Sequence, residues 1–134
     1  MNVASVMDEL ATQLDTIAGL RVSAFIPKTV TPPQAIVGFP EVYTYDIALG
    51  RGSDSMTIPI YVLVGAVSDR TARDRLAAFM DGSGASSFKA VLRAGTYTAF
   101  STQRIKQVVT DAFVMNGVEY LGAMFSVDIT GPGT

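Results

Sequence analysis

The sequence predicts an α+β fold, and two stretches carry most of that prediction. In residues 56–65 apolar side chains occupy every second position, which is the period of a strand that buries at least one face. Residues 118–130 show the same alternation and predict a second long strand. Amphipathic helical patterns stand before and between these strands. The alternating apolar positions are Met56, Ile58, Ile60, Val62 and Val64 in the first stretch, and Leu121, Ala123, Phe125, Val127 and Ile129 in the second.

The helical patterns predict one N-terminal helix and a central pair. Asn2 can cap the first helix, and Gly19 can close it by adopting a left-handed conformation. Ser68 or Asp69 can cap a second helix, and Ser86 or Ser87 can cap a third, which Gly95 ends. We expect this pair to be bent and to lie on one face of the sheet. The apolar residues at helical spacing are Val3, Val6, Met7, Leu10, Leu14 and Ile17, then Ala72, Leu76, Phe79 and Met80, then Phe88, Val91 and Leu92.

The remaining strands are shorter or less apolar. We predict strands at residues 21–26, 34–39 and 42–49, and a strand that is polar on both faces within 96–110. Three prolines make residues 27–33 an extended loop, and Asn116-Gly117 favours a tight hairpin turn. We expect residues 1–134 to form a single domain, with residues 131–134 as a short flexible tail.

Composition excludes several classes of function. The chain has 134 residues, a net charge of -2, no cysteine and no histidine, which removes disulfides, thiolate metal sites and Ser-His-Asp catalysis. We therefore expect no catalytic residues, no metal and no cofactor. The acidic balance gives no drive toward nucleic acid, and the longest apolar run, 58–67, is about half of what a membrane span needs. We expect a soluble protein with no membrane association and no secretory signal.

Two small sets of residues are candidates for binding. Tyr43 and Tyr45 are predicted to face outward beside Arg51 and Asp54 in the adjoining loop, and they serve either hairpin packing or a protein interface, where tyrosine and arginine are enriched. Arg104 and Lys106 alternate on one strand face. They either contact nucleic acid, form subunit salt bridges, or make a solvated strand face.

The order of several short segments resembles that in the tail terminator proteins of long-tailed, siphovirus-type bacteriophages, in particular bacteriophages that infect actinobacteria. The resemblance spans nearly the whole chain and no single segment is chemically diagnostic. The segments are Pro32-Pro33 before Ala35-Ile36-Val37-Gly38, the hairpin ending in Arg51-Gly52, Ile60-Tyr61-Val62-Leu63-Val64-Gly65, Ser68-Asp69-Arg70, Arg73 to Leu76, Asp81-Gly82-Ser83-Gly84 with Lys89-Ala90, and Gly117-Val118-Glu119-Tyr120-Leu121-Gly122 before Phe125-Ser126-Val127-Asp128.

The resemblance implies a mostly antiparallel sheet with helices on one side and a structural role in the virion. Such proteins form a ring, commonly a homohexamer, at the head-proximal end of the tail tube. The ring stops tube polymerisation and joins the tail to the head connector. The implied partners are other copies of the chain, the major tail tube protein and a head-completion or connector protein, while genomic DNA passes through the lumen without specific binding. The implied location is the neck end of the virion tail, with assembly in the host cytoplasm.

Two alternatives stay open. One is another component of the phage neck or tail tube with a similar small fold. The other is a small-molecule-binding or enzymatic α+β domain with a pocket between sheet and helices. For the terminator, we expect the hairpin of residues 43–55 to contact a neighbouring subunit or the tail tube.

Overall fold

The computed structural model describes residues 1–25, 33–47, 52–65, 70–115 and 117–132. These residues form three helices and one six-stranded sheet. The helices are α1 (Val3–Leu14), α2 (Arg70–Met80) and α3 (Phe88–Ala94). The strands are β1 (Arg21–Ser23), β2 (Gln34–Val37), β3 (Val42–Thr44), β4 (Ser53–Gly65), β5 (Thr102–Met115) and β6 (Val118–Pro132).

The long strand β4 organises the sheet. The strand order is β1-β2-β4-β6-β5, and β3 pairs with β4 beyond the end of β2. The described pairs are antiparallel except β1 with β2. β5 and β6 form a long hairpin whose tip extends past the end of β4. The predicted α+β class, with a mostly antiparallel sheet, an N-terminal helix and a central helix pair on one face, is confirmed.

The main core lies between the sheet and the three helices. The alternating residues predicted for β4 and β6 point to this side, since Ile58, Ile60 and Val127 are fully buried there. On α3, Phe88 stacks on Phe125 of β6, with ring centroids 4.5 Å apart. The alternation therefore predicted the buried face of both long strands correctly.

The opposite face of the sheet has its own small apolar cluster. Ile36 and Leu63 are buried in it, and Tyr61, Phe113 and Tyr120 pack against them. A side chain in place of Gly122 would clash with the β4 backbone and the Phe113 ring. The absence of a side chain there lets Phe113 lie directly over the sheet.

The N-terminal helix begins as the sequence predicts. The Asn2 side chain accepts a hydrogen bond from the Ser5 amide, at 3.1 Å. The helix ends at Leu14, before Gly19, which has a φ of 78° and turns the chain toward β1. Ser87 caps α3 by accepting a hydrogen bond from the Ala90 amide, whereas the predicted caps of α2 lie outside the described residues.

Several predicted boundaries are wrong. β1 and β2 end at Ser23 and Val37, and β3 ends at Thr44, shortly before Asp46 adopts a φ of 51° that interrupts an extended strand. β5 is one strand that begins at Thr102 and continues to Met115. Met80 is exposed rather than buried.

The predicted flexible tail is also partly wrong. Gly131 and Pro132 belong to β6 and pair with Asp54 and Ser53 of β4. The Pro132 carbonyl accepts a hydrogen bond from the Met1 amine at 2.9 Å, so this end of β6 is held on two sides. Residues 133–134 lie outside the described part of the chain. None of the helices in the described part is both long and apolar enough to cross a membrane.

Candidate functional site

A hydrogen-bonded pair, Tyr43 and Asp54, holds the end of the sheet where β3 meets β4. The Tyr43 hydroxyl donates to Asp54 Oδ2 at 2.9 Å, and the Asp46 amide donates to Asp54 Oδ1 at the same distance. Met1 also contacts the Tyr43 hydroxyl through its amine, at 3.3 Å. Both oxygens of the carboxylate are therefore used to fix the turn that follows β3.

The environment of this pair shifts both pKa values. The hydrogen bond from the Asp46 amide, helped by the Tyr43 hydroxyl, lowers the pKa of Asp54 against the opposing effect of burial. Burial, with the hydrogen bond to Asp54 and its negative charge, raises the pKa of Tyr43 to about 12. The pair therefore consists of a carboxylate and a neutral phenol at neutral pH, joined by a hydrogen bond.

This geometry corrects the predicted placement of two candidate residues. Asp54 is only 3% exposed and lies inside β4, not in a loop. Tyr43 pairs with Met56 on the core side of the sheet and packs against the core, so its predicted outward orientation is wrong. Tyr45 is 73% exposed, as predicted, and its ring lies 4.6 Å from that of Tyr43. Arg51 lies outside the described residues.

Large apolar side chains are exposed on β3 and in the segments that follow β1, β2 and β3. We call five of these residues the β3-end surface: Phe25, Phe39, Val42, Tyr45 and Ile47. Phe39 is 76% exposed, and exposed apolar side chains that form a patch are typical of interaction sites. Sequence reasoning did not single out Phe25 or Phe39, although each lies next to or near a proline, where regular strand pairing ends.

A cleft of about 430 Å³ opens beside this surface. Most of its lining residues are apolar, Phe25 and Phe39 among them, and Glu41 and Tyr61 are the lining residues with polar groups. Gly38 also lines the cleft, and a Cβ added there would lie 3.0 Å from Pro59 Cγ and 3.3 Å from Tyr61 Cε2. The residues that line the cleft are Met7, Ala24, Phe25, Val37, Gly38, Phe39, Glu41, Pro59 and Tyr61.

Arg104 and Lys106 lie near the start of the edge strand β5. Arg104 Nη2 is 3.3 Å from Asp128 Oδ2 on β6, an exposed ion pair of the kind worth about 0–1 kcal/mol. Lys106 is exposed at a bulge, where the register shifts between Ile105 and Gln107. The structure thus shows Arg104 in an ion pair on the strand face.

Two further cations lie beside this part of β5. Lys89 and Arg93 of α3 line a polar recess of about 60 Å³ together with Gln103, Arg104 and Ile105. With Arg104 and Lys106, these two residues put four cationic side chains beside the first half of β5, and that of Arg104 is paired with Asp128. The β3 end carries the exposed acids Glu41 and Asp46 instead.

A carboxylate on α1 fastens the segment that leads into β5. Glu9 accepts hydrogen bonds from the Thr98 hydroxyl at 2.7 Å, the Thr98 amide at 2.9 Å and the Ala99 amide at 3.0 Å. Burial by itself would raise the pKa of Glu9, but the three hydrogen bonds outweigh that effect and lower the pKa. Glu9 is therefore a structural cap for the loop.

The described residues contain no cluster of three or more metal-ligating side chains. No protein-family model matches this chain, and no curated protein matches it either. The candidate sites therefore rest on the geometry of the described residues: the β3-end surface with its cleft, and the cationic edge at β5.

Proposed function

We propose that the protein is a structural component of a phage virion that forms a ring at the head-proximal end of the tail tube. The ring, a homohexamer in this proposal, ends tube polymerisation and joins the tail to the head connector. The observation that carries the proposal is the β3-end surface, whose exposed apolar side chains are typical of a protein interface. The order of sequence segments described above supplies the identity of the partners.

A ring requires two unlike surfaces on each subunit, because each copy contacts its neighbours through different patches. The β3-end surface is apolar and flanked by Glu41 and Asp46, whereas the β5 side is cationic. These two surfaces lie at opposite sides of the sheet. This arrangement supports a head-to-tail assembly. In the proposal, the tail tube and the connector bind the two rims of the ring, DNA passes through the lumen without specific binding, and the ring performs no catalysis.

Electron microscopy of the purified protein mixed with tail tubes tests the proposal. Rings at tube ends and tubes of uniform length are the expected result. The variant Phe39→Ala with Tyr45→Ala removes two aromatic rings of the β3-end surface and should abolish the rings. The matched control, Met80→Ala with Val118→Ala, removes exposed apolar groups from α2 and from the start of β6 and should leave the rings intact.

Two outcomes would contradict the proposal. Long tubes built from this protein alone would assign it to the tube instead of the ring, and tubes that bind no protein at their ends would remove it from the neck altogether. Normal rings from the Phe39 and Tyr45 variant would show that the β3-end surface is not the contact.

The cleft supports a second candidate function, the binding of a small apolar molecule. Its volume of about 430 Å³ falls within the range of about 300–1,000 Å³ that is typical of ligand pockets. Saturable binding of the fluorescent probe 8-anilinonaphthalene-1-sulfonate, lost in a Phe39→Arg variant that still folds, would favour this function. A signal unchanged by that substitution would exclude the cleft as its source.

A further inference from the structure

The sheet ends in two unlike edges. β5 forms one edge and β1 the other, and within the described part of the chain each of them pairs on one side only. β5 is 14 residues long. A long strand with a free row of amides and carbonyls is a template for pairing with another chain unless it is protected.

Protection covers only the first half of β5. Arg104, Lys106 and the bulge beside them are devices that discourage strand pairing. From Gln107 onward the strand is regular, and the only charge before Met115 is that of Asp111. On this second half, Val109 is 46% and Val114 66% exposed. The open half of the edge therefore has the character of a binding strand.

The register of the sheet connects this open half to β1. Residues that are partners in successive strands lie in one row across the sheet and point to the same face. One such row begins at the exposed Arg21 of β1 and ends at the exposed Asp111 of β5. The row runs through Arg21, Gln34, Leu63, Gly122 and Asp111.

The two ends of this row carry opposite charges. Among the described residues, Arg21 forms no ion pair, and Asp111 accepts only the amide of Ala112 at 2.7 Å. β1 runs antiparallel to β5, as the alternation of strand directions across the sheet requires. A second copy placed beside the first in the same orientation would bring its β1 next to β5 with antiparallel geometry and with Arg21 near Asp111.

We propose that copies of this chain associate head to tail by antiparallel pairing of β5 in one copy with β1 in the next, with Asp111 facing Arg21 of the neighbour. The contact joins two different edges, so it is heterologous and leads to a ring when the rotation between copies closes. Arg104 and Lys106 then extend toward the Glu41 side of the neighbour, which adds charge complementarity at the protected half. This inference rests on the proposed ring and names its subunit interface.

Disulfide trapping tests the contact, because the chain contains no cysteine and each introduced thiol is unique. Opposed residues of antiparallel strands have Cα atoms about 4.5–5.5 Å apart, within the span of a disulfide of about 4.4–6.8 Å. The double variant Arg21→Cys with Asp111→Cys, oxidised at high protein concentration, should give a ladder of covalent oligomers that a reductant reverses. The matched control is the double variant Arg21→Cys with Asp8→Cys, whose second cysteine lies on α1, and it should crosslink several-fold less.

Two results would overturn the interface. One is crosslinking of the Arg21 and Asp111 pair no better than the control. The other is efficient dimerisation of the Asp111→Cys variant alone, because that would show symmetric pairing of β5 with itself. Circular dichroism of each variant establishes that it is folded before oxidation.

A charge exchange gives an independent measurement without thiols. Asp111→Arg should abolish rings at tube ends and any self-association seen by sedimentation, and adding Arg21→Asp should restore both. Failure of the double exchange to restore association would contradict the pairing. Rings at tube ends without disulfide-trapped oligomers would support the proposed function and refute this interface. Disulfide-trapped oligomers that never bind tubes would support this interface and refute the proposed function.

Discussion

The substitution Phe125→Ala tests the packing of the helices on the sheet. Phe125 is buried on the core face of β6 and stacks on Phe88 of α3, with 4.5 Å between ring centroids and 24° between ring planes. Truncating a buried phenylalanine costs about 3–5 kcal/mol through lost transfer energy and the cavity left behind. The lost stacking, worth about 0.5–1.5 kcal/mol, is part of that cost and places this site toward the top of the range. We therefore expect a loss at the upper end, about 4–5 kcal/mol of unfolding free energy.

Urea unfolding followed by far-ultraviolet circular dichroism measures this loss. Phe39→Ala is the matched control, because it makes the same substitution at an exposed ring and should change stability by no more than about 0.5 kcal/mol. A double-mutant cycle with Phe88→Ala isolates the stacked pair and should give a coupling of about 0.5–1.5 kcal/mol. A Phe125→Ala protein as stable as the control would refute the placement of this ring in the core.

Two further predictions concern titration and close packing. Folding lowers the pKa of Glu9 and Asp54, so both stabilise the native state fully above their unfolded pKa values of about 4. The free energy of unfolding should fall as the pH drops through the lower pKa values of the folded state, and Glu9→Gln should make that fall less steep. Urea unfolding midpoints measured at a series of pH values test this. Parallel plots of midpoint against pH for the two proteins would contradict it. Gly122→Ala should cost about 1–3 kcal/mol, because the added methyl group meets the Val62 carbonyl. Gly82→Ala, where the methyl group meets nothing within 4 Å, is the control, and equal midpoints for the two variants would show that β4 and β6 can separate at no cost.

Local sequence determined the elements whose signals are contained within a few residues. The cap at Asn2 and the periodic apolar positions of α1 depend only on the backbone geometry of one helix. The alternation along β6 fixes which side chains share a face, because successive residues of a strand point in opposite directions. These features could be predicted without knowing what lies next to them.

The candidate site was predicted less well, because its geometry depends on which strands pair. Tyr43 faces inward since β3 pairs with β4 in a register that sets it opposite Met56. Asp54 is buried since β4 begins earlier than its apolar pattern and gains Gly131 as a partner on β6. A glycine and a proline at positions 131 and 132 predict a flexible tail from local sequence alone, yet both residues belong to β6 and pair with β4.

Sequence by itself therefore determined the α+β class, the three helices and the buried faces of the two long strands. Only the tertiary structure decided the strand order and the edges of the sheet, and it alone linked Arg21 to Asp111 through one row. The physical reason is the range of the interactions. Helical and strand periods arise from bonds between near neighbours in the chain, whereas register arises from hydrogen bonds between residues far apart in sequence.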